Sequence, residues 1–115
     1  MSHTILVVED ERDLREMLCE ALELHGYDAV PAVDGQAALE ALERIDLPCM
    51  VLLDLLMPGM NGWDFIEKMR AHSTYAKVPV IVHSSAPAAA PQGATGVLTK
   101  PLDLERLLEI VRGFC

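Results

Sequence analysis

Residues 49–59 read CMVLLDLLMPG, a greasy run with a single acid, Asp54, between Val51-Leu52-Leu53 and Leu55-Leu56-Met57. Met50 to Leu53 is short, continuously apolar and closed by a Pro-Gly turn, which reads as a strand buried on both faces. An isolated carboxylate is expensive to bury. Asp54 therefore either caps the following turn, as acids at strand ends often do, or serves a chemistry that compensates its desolvation. The rest of the chain weighs the two readings.

Working outward, the pattern of residues 49–54 recurs. Thr4 to Val8 (TILVV) is a second apolar run rich in β-branched residues, and it stops at Glu9-Asp10. From Asp13 the period becomes helical, with Leu14, Met17, Leu18, Ala21 and Leu22 on one side and Gly26 placed to end the helix. Tyr27 to Val30 is a weak strand, and Asp34 is placed to cap a helix bearing Ala38, Leu39, Ala41 and Leu42. After the turn MPGMNG, Trp63, Phe65, Ile66 and Met69 predict another helix. Val78 to Val82 is a fourth strand, Val97-Leu98 a brief fifth, and Leu104, Leu107, Leu108 and Val111 line a last helix. Strands that alternate with helices and read as continuous hydrophobic runs predict an α/β domain with a mainly parallel sheet. One interval breaks the rhythm: SAPAAAPQGAT holds Pro87 and Pro91 four residues apart. A regular three-turn helix does not fit there, because Pro91 removes an i→i−4 bond and clashes with the carbonyl of residue 87.

Composition narrows the class. The 115 residues suffice for one core and are too few for two, so a single domain over 1–115 is expected. Eighteen acids against nine bases give a net charge of −9, which disfavours direct nucleic-acid binding and favours a cation or a basic protein surface. Cys19, Cys49 and Cys115 are odd in number and show no CxxC spacing, so they read as reduced thiols of a cytoplasmic protein. No apolar run reaches membrane-spanning length, and no membrane insertion is expected.

The strands end on chemistry. The first runs into Glu9-Asp10, the third into Asp54, the fourth into His83-Ser84-Ser85 and the fifth into Thr99-Lys100. In an open parallel sheet, ligands bind beyond the carboxyl ends of the strands, where strand order reverses. Three crowded carboxylates call for a cation, and oxygen ligands favour Mg²⁺, with Mn²⁺ as a substitute. Lys100 supplies a positive charge and Ser84 a hydroxyl, and Asp54 would be a nucleophile forming an acyl phosphate. Taken singly, each has a plainer role: a turn cap for Asp54, helix-start acids for Glu9 and Asp10, a solvated lysine for Lys100. His83 is read as a strand-end histidine, since no second histidine or cysteine stands at metal-ligand spacing from it.

With VVEDE (7–11), LLDLLMPGMNG (52–62), VIVHSSA (80–86) and GATGVLTKP (93–101), the chain resembles receiver domains of two-component response regulators over essentially its whole length. The resemblance implies a flavodoxin-like, doubly wound sheet of five parallel strands in the order 2-1-3-4-5. It implies Asp54 as phosphoacceptor and Glu9, Asp10, Asp54 and the backbone carbonyl of Leu56 as Mg²⁺ ligands. Ser84 takes the switch-hydroxyl position, Lys100 the lysine position, and the Lys100–Pro101 peptide bond is expected to be cis. The implied partners are a histidine kinase or phosphotransfer protein and a downstream protein target. No enzymatic activity is implied beyond self-phosphotransfer and autodephosphorylation.

The chain departs from the family pattern at its output face. Val97 stands where receivers carry Tyr or Phe, and the segment after Ser84 is short and rich in Pro and Ala, so the fourth helix of the family is expected to be shortened or irregular. Leu56 stands where a polar residue would orient an attacking water, and is expected to shield the acyl phosphate. An alternative is a phosphorylation-independent interaction module of receiver fold. Aspartate-nucleophile phosphatases fit less well, because the position of their second acid is Leu56; flavodoxins fit less well, because acids rather than a phosphate loop follow the first strand. The sequence is compatible with a stand-alone messenger or with part of a longer regulator.

Overall fold

The computed structural model describes residues 3–55, 60–85 and 91–115. Its elements run β1 (Thr4–Val8), α1 (Arg12–Leu24), β2 (Asp28–Ala32), α2 (Gly35–Arg44), β3 (Met50–Asp54), α3 (Gly62–Ala71), β4 (Val80–Ser84), β5 (Gly96–Thr99) and α4 (Leu104–Phe114). All strand pairings are parallel, and the sheet order is β2-β1-β3-β4-β5, as expected.

The continuous apolar strands are explained by covers on both faces. Alternation along β3 sends Val51 and Leu53 to one side, where they join Leu6, Val8, Val80 and Val82 beneath Ala38 and Leu42 of α2 and Phe65 and Met69 of α3. Met50 and Leu52 face the other side with Ile5, Val7 and Ile81, covered by Leu18 and Leu22 of α1 and Leu107 and Val111 of α4. The end of β3 therefore emerges between two packed layers, and Asp54 follows the parity of Met50 and Leu52 toward α1 and α4.

Element boundaries differ modestly from the sequence reading. The second strand lies further along than Tyr27 to Val30 and contains Pro31; β2 is an edge strand, where a missing N–H is tolerated. The fourth strand starts after Pro79 rather than at Val78, and the Pro79 carbonyl accepts a hydrogen bond from the Val51 N–H at 2.8 Å. Gly26 adopts φ +89° just past α1, the left-handed conformation that ends helices and favours glycine. Asp34 caps α2 through its carboxylate, which accepts from the Ala37 N–H at 2.8 Å. At Gly62 a Cβ would lie 2.7 Å from Leu55 Cα, so only glycine lets α3 begin directly against the end of β3. The Lys100–Pro101 bond is cis.

Among the described residues no helix separates β4 from β5. The expectation of a shortened or irregular helix falls mainly on residues 86–90, outside the described residues, as does the Leu56 carbonyl. What is described of this connection is clamped by α3. The Arg70 guanidinium donates two hydrogen bonds to the Gly93 carbonyl (2.8 and 3.0 Å) and one each to the carbonyls of Ala76 (3.1 Å) and Val78 (2.8 Å).

The cysteine reading needs correction. Cys49 and Cys115 form a disulfide, with Cα atoms 5.5 Å apart across 66 residues of sequence, and only Cys19 is a free, buried thiol. The cause is topological. Cys49 stands just before β3, and α4 runs antiparallel to the strands, so its last residue arrives at the same end of the sheet. Linear spacing carries no trace of that meeting.

Candidate functional site

The strand order reverses between β1 and β3, and the crevice beyond their carboxyl ends is where the acids gather. Glu9 and Asp10 follow β1 directly, and Asp54 closes β3. One carboxylate oxygen from each of Glu9, Asp10 and Asp54 lies within 4.8 Å of the other two. Glu9 and Asp54 are 2% and 6% exposed, whereas Asp10 faces solvent. The cleft has a volume of about 270 Å³ and is lined by these three acids with Glu11, Ser84, Ser85 and Lys100. The five residues expected to supply side chains to the site thus line one cleft, and Ser85 joins them.

Local structure fixes each group. Lys100 comes from the turn after β5, where its N–H donates to the Ser84 carbonyl at 2.9 Å and ties the β4 and β5 ends together. From there its Nζ reaches Asp54 Oδ1 at 3.4 Å. Ser84 is the last residue of β4 and is buried. The acidic loop is braced by Arg15 of α1, whose Nη1 donates to the carbonyls of Glu9 (2.9 Å) and Asp10 (3.3 Å). Sequence reasoning missed Arg15, although its place one turn into a helix that follows two acids was a usable signal.

Glu9 carries the tension of the site. Its Oε2 accepts from the Glu11 N–H at 3.0 Å, but its Oε1 is fully buried and has no hydrogen-bond partner. Burial pushes its carboxyl up to about 7; the Glu11 N–H and Lys100 oppose this, while Asp54 and Asp10 add to it. A buried oxygen without a partner, beside two further carboxylates, is the environment that a hard divalent cation satisfies. The donor set, all oxygen and partly open to water, fits such a cation.

His83 pairs in register with Asp54 and is 2% exposed, with neither ring nitrogen hydrogen-bonded. Burial first, and Lys100 second, hold its pKa below the usual value, so it sits in the sheet as a neutral side chain. Val97, in β5, is 37% exposed. No helix among the described residues is long and apolar enough to cross a membrane.

Comparison with known proteins agrees with this geometry. The family profile of the response regulator receiver domain matches residues 5–112. The chain is 39% identical over 82 residues to the phosphate regulon transcriptional regulatory protein PhoB of Escherichia coli, covering 71% of this chain and 35% of that protein. It is 35% identical over 115 residues to the sensory transduction protein RegX3 of Mycobacterium bovis, covering 95% of this chain and 49% of that one. The chain thus spans about a third to a half of the length of the curated relatives it matches. A response regulator receiver protein from Pseudomonas putida superposes with a TM-score of 0.88 at 31% identity, covering 98% of each chain. A switch-point cleft holding three acids and a lysine, on a sheet ordered 2-1-3-4-5, and these matches lead to one assignment: the chain belongs to the response regulator receiver domain family.

Proposed function

We propose that this chain acts as one receiver domain, accepting a phosphoryl group on Asp54 from the phosphohistidine of a histidine kinase or phosphotransfer protein. The observation that carries the reading is the meeting of Glu9, Asp10 and Asp54 within 4.8 Å, with the Lys100 amine 3.4 Å from Asp54. In the transfer, an Asp54 carboxylate oxygen bonds to phosphorus as the donor's P–N bond breaks, and the donor imidazole leaves with the bonding pair. Lys100 stays beside the carboxylate and takes up charge that builds on the phosphoryl oxygens, and the Ser84 hydroxyl donates to one of them. Glu9, Asp10 and Asp54 would hold the cation, and we assign a further ligand to the backbone carbonyl of Leu56, which lies outside the described residues. When bound, Mg²⁺ supplies neutralisation of the crowded acids and orientation of the phosphoryl oxygens.

In this reading the chain has no activity on other substrates beyond its own phosphorylation and dephosphorylation. It works in the cytoplasm and signals to a protein target. Its readout differs from the family habit, because Val97 provides no aromatic ring to swing between buried and exposed positions. Incubation with acetyl phosphate and Mg²⁺ is expected to add one phosphoryl group by intact mass, and Asp54→Asn to prevent it. A wild-type protein that binds Mg²⁺ but gains no mass would favour the phosphorylation-independent module instead. Backbone NMR with beryllofluoride tests the readout: resonances of residues 84–97 that stay unchanged would rule out switching there.

A further inference from the structure

We infer that Cys49 and Cys115 form a dithiol–disulfide site that exchanges with a low-molecular-weight disulfide of the glutathione type and thereby pins or frees the last turn of α4. The pair is positioned for the bond: the Cα atoms are 5.5 Å apart, within the range disulfides occupy, and both residues are only partly buried. Reduced Cys49 also has somewhere to go, since its Sγ lies 3.3 Å from the Thr4 carbonyl oxygen, an acceptor for the thiol S–H.

Order in the last turn depends on the bond. Val111 is the last buried side chain of α4, and Arg112, Gly113 and Phe114 are all exposed. Gly113 weakens the turn further, because glycine is a poor helix former and a Cβ at that position would meet nothing. Cys115 is thus the one residue after Val111 that packs against the protein; its N–H donates to the Val111 carbonyl at 2.8 Å. Joined to Cys49 it fixes the turn to the start of β3; released, it leaves that turn to fray.

The third cysteine does not compete. Cys19 is 9% exposed in the same apolar layer, and burial pushes its thiol up to about 11, which suppresses the reactive thiolate. The chemistry closes without further reagents. One thiolate of the pair attacks the external disulfide and releases one small thiol, giving a mixed disulfide. The second protein thiolate then attacks the protein sulfur of that mixed disulfide and releases the other small thiol. The protein loses two electrons and two protons, and the external disulfide becomes two thiols. A disulfide of this kind in a cytoplasmic protein is a reversible one.

The test equilibrates the 115-residue chain with oxidised or reduced glutathione, counts free thiols, and follows amide hydrogen exchange. Counted after quenching and unfolding in denaturant, one free thiol is expected with oxidised glutathione and three with reduced glutathione. Amides of residues 112–115 should exchange roughly tenfold or more faster in the reduced protein, while those of β3 stay protected. Cys115→Ser should match the reduced exchange pattern whatever the glutathione state, and Cys19→Ser should keep the full response. Three thiols under oxidising conditions would overturn the inference. So would last-turn exchange rates that are equal in both states, or a response lost on removing Cys19.

Discussion

Replacing Glu9 by Gln offers a quantitative test of the acidic cleft. Glu9 is 2% exposed, and its carboxyl titrates at about 7 in the folded protein against 4.5 for an ordinary glutamate. Between these values the folded state holds a proton that the unfolded chain has lost, so stability falls as pH rises. The favourable contribution is complete below the unfolded value and disappears as pH rises through the folded one. Integrated from about pH 5.5 to about pH 8, the loss is about 2 kcal/mol, or roughly 8 °C in Tm for a domain of this size. Glutamine keeps the shape and cannot ionise, so the variant in EDTA should lack this slope and should be the more stable protein at the alkaline end. Mg²⁺ reverses the ranking: it binds the ionised carboxylate and releases the proton, so wild type should gain stability at high pH and Glu9→Gln should gain little. Urea unfolding across this pH range, with EDTA or saturating Mg²⁺, gives the four curves. Subtracting the variant from wild type in EDTA removes the contributions of groups that do not interact with Glu9 and leaves those of Glu9 and the neighbours it couples to. A difference that stays flat within about 0.5 kcal/mol, or that slopes upward with pH, would refute the account of Glu9 as a buried acid awaiting a cation.

Further outcomes follow from named contacts. Lys100→Ala should slow phosphoryl uptake from acetyl phosphate roughly a hundredfold. It should lower stability by only about 1 kcal/mol, because the Lys100 side chain is 32% exposed. Arg70→Ala removes four hydrogen bonds to the carbonyls of Gly93, Ala76 and Val78 and should destabilise by about 2–3 kcal/mol in urea, with Lys as a poor replacement for the forked contact. Gly62→Ala drives a methyl group to 2.7 Å from Leu55 Cα and should cost about 2 kcal/mol or more; because Leu55 follows Asp54, Mg²⁺ titrations should weaken as well.

The sequence showed most plainly what repeats along it. Four apolar runs ending in polar residues predict parallel strands with chemistry at one edge, because the hydrophobic period and the helix between successive strands can both be read locally. Boundaries moved where prolines stood. Pro31 proved tolerable within an edge strand, and Pro79 marked the residue before β4 rather than its second position. Contacts made by a side chain far along the chain left no local mark. Arg70 reads as an ordinary base in the last turn of a helix, yet it clamps a carbonyl 23 residues away. Cys49 and Cys115 read as unrelated thiols until the antiparallel course of α4 brings them together.

The same distinction explains Asp54. The sequence of residues 49–59 sets no basic residue beside it, and the capping role is the more economical reading of that stretch alone. Among the described residues, Lys100 after β5 brings a positive charge to Asp54, and Arg15 holds in place the loop after β1 that carries Glu9 and Asp10. The two buried acids are not equally served. Asp54 has the lysine at 3.4 Å, whereas Glu9 keeps one oxygen buried with no hydrogen-bond partner and a carboxyl raised to about 7. The unsatisfied demand for positive charge is therefore concentrated at Glu9, next to the nucleophile rather than on it. A cation drawn in by Glu9 would stand beside Asp54, where it would neutralise the crowded acids and favour transfer of a phosphoryl group to that carboxylate.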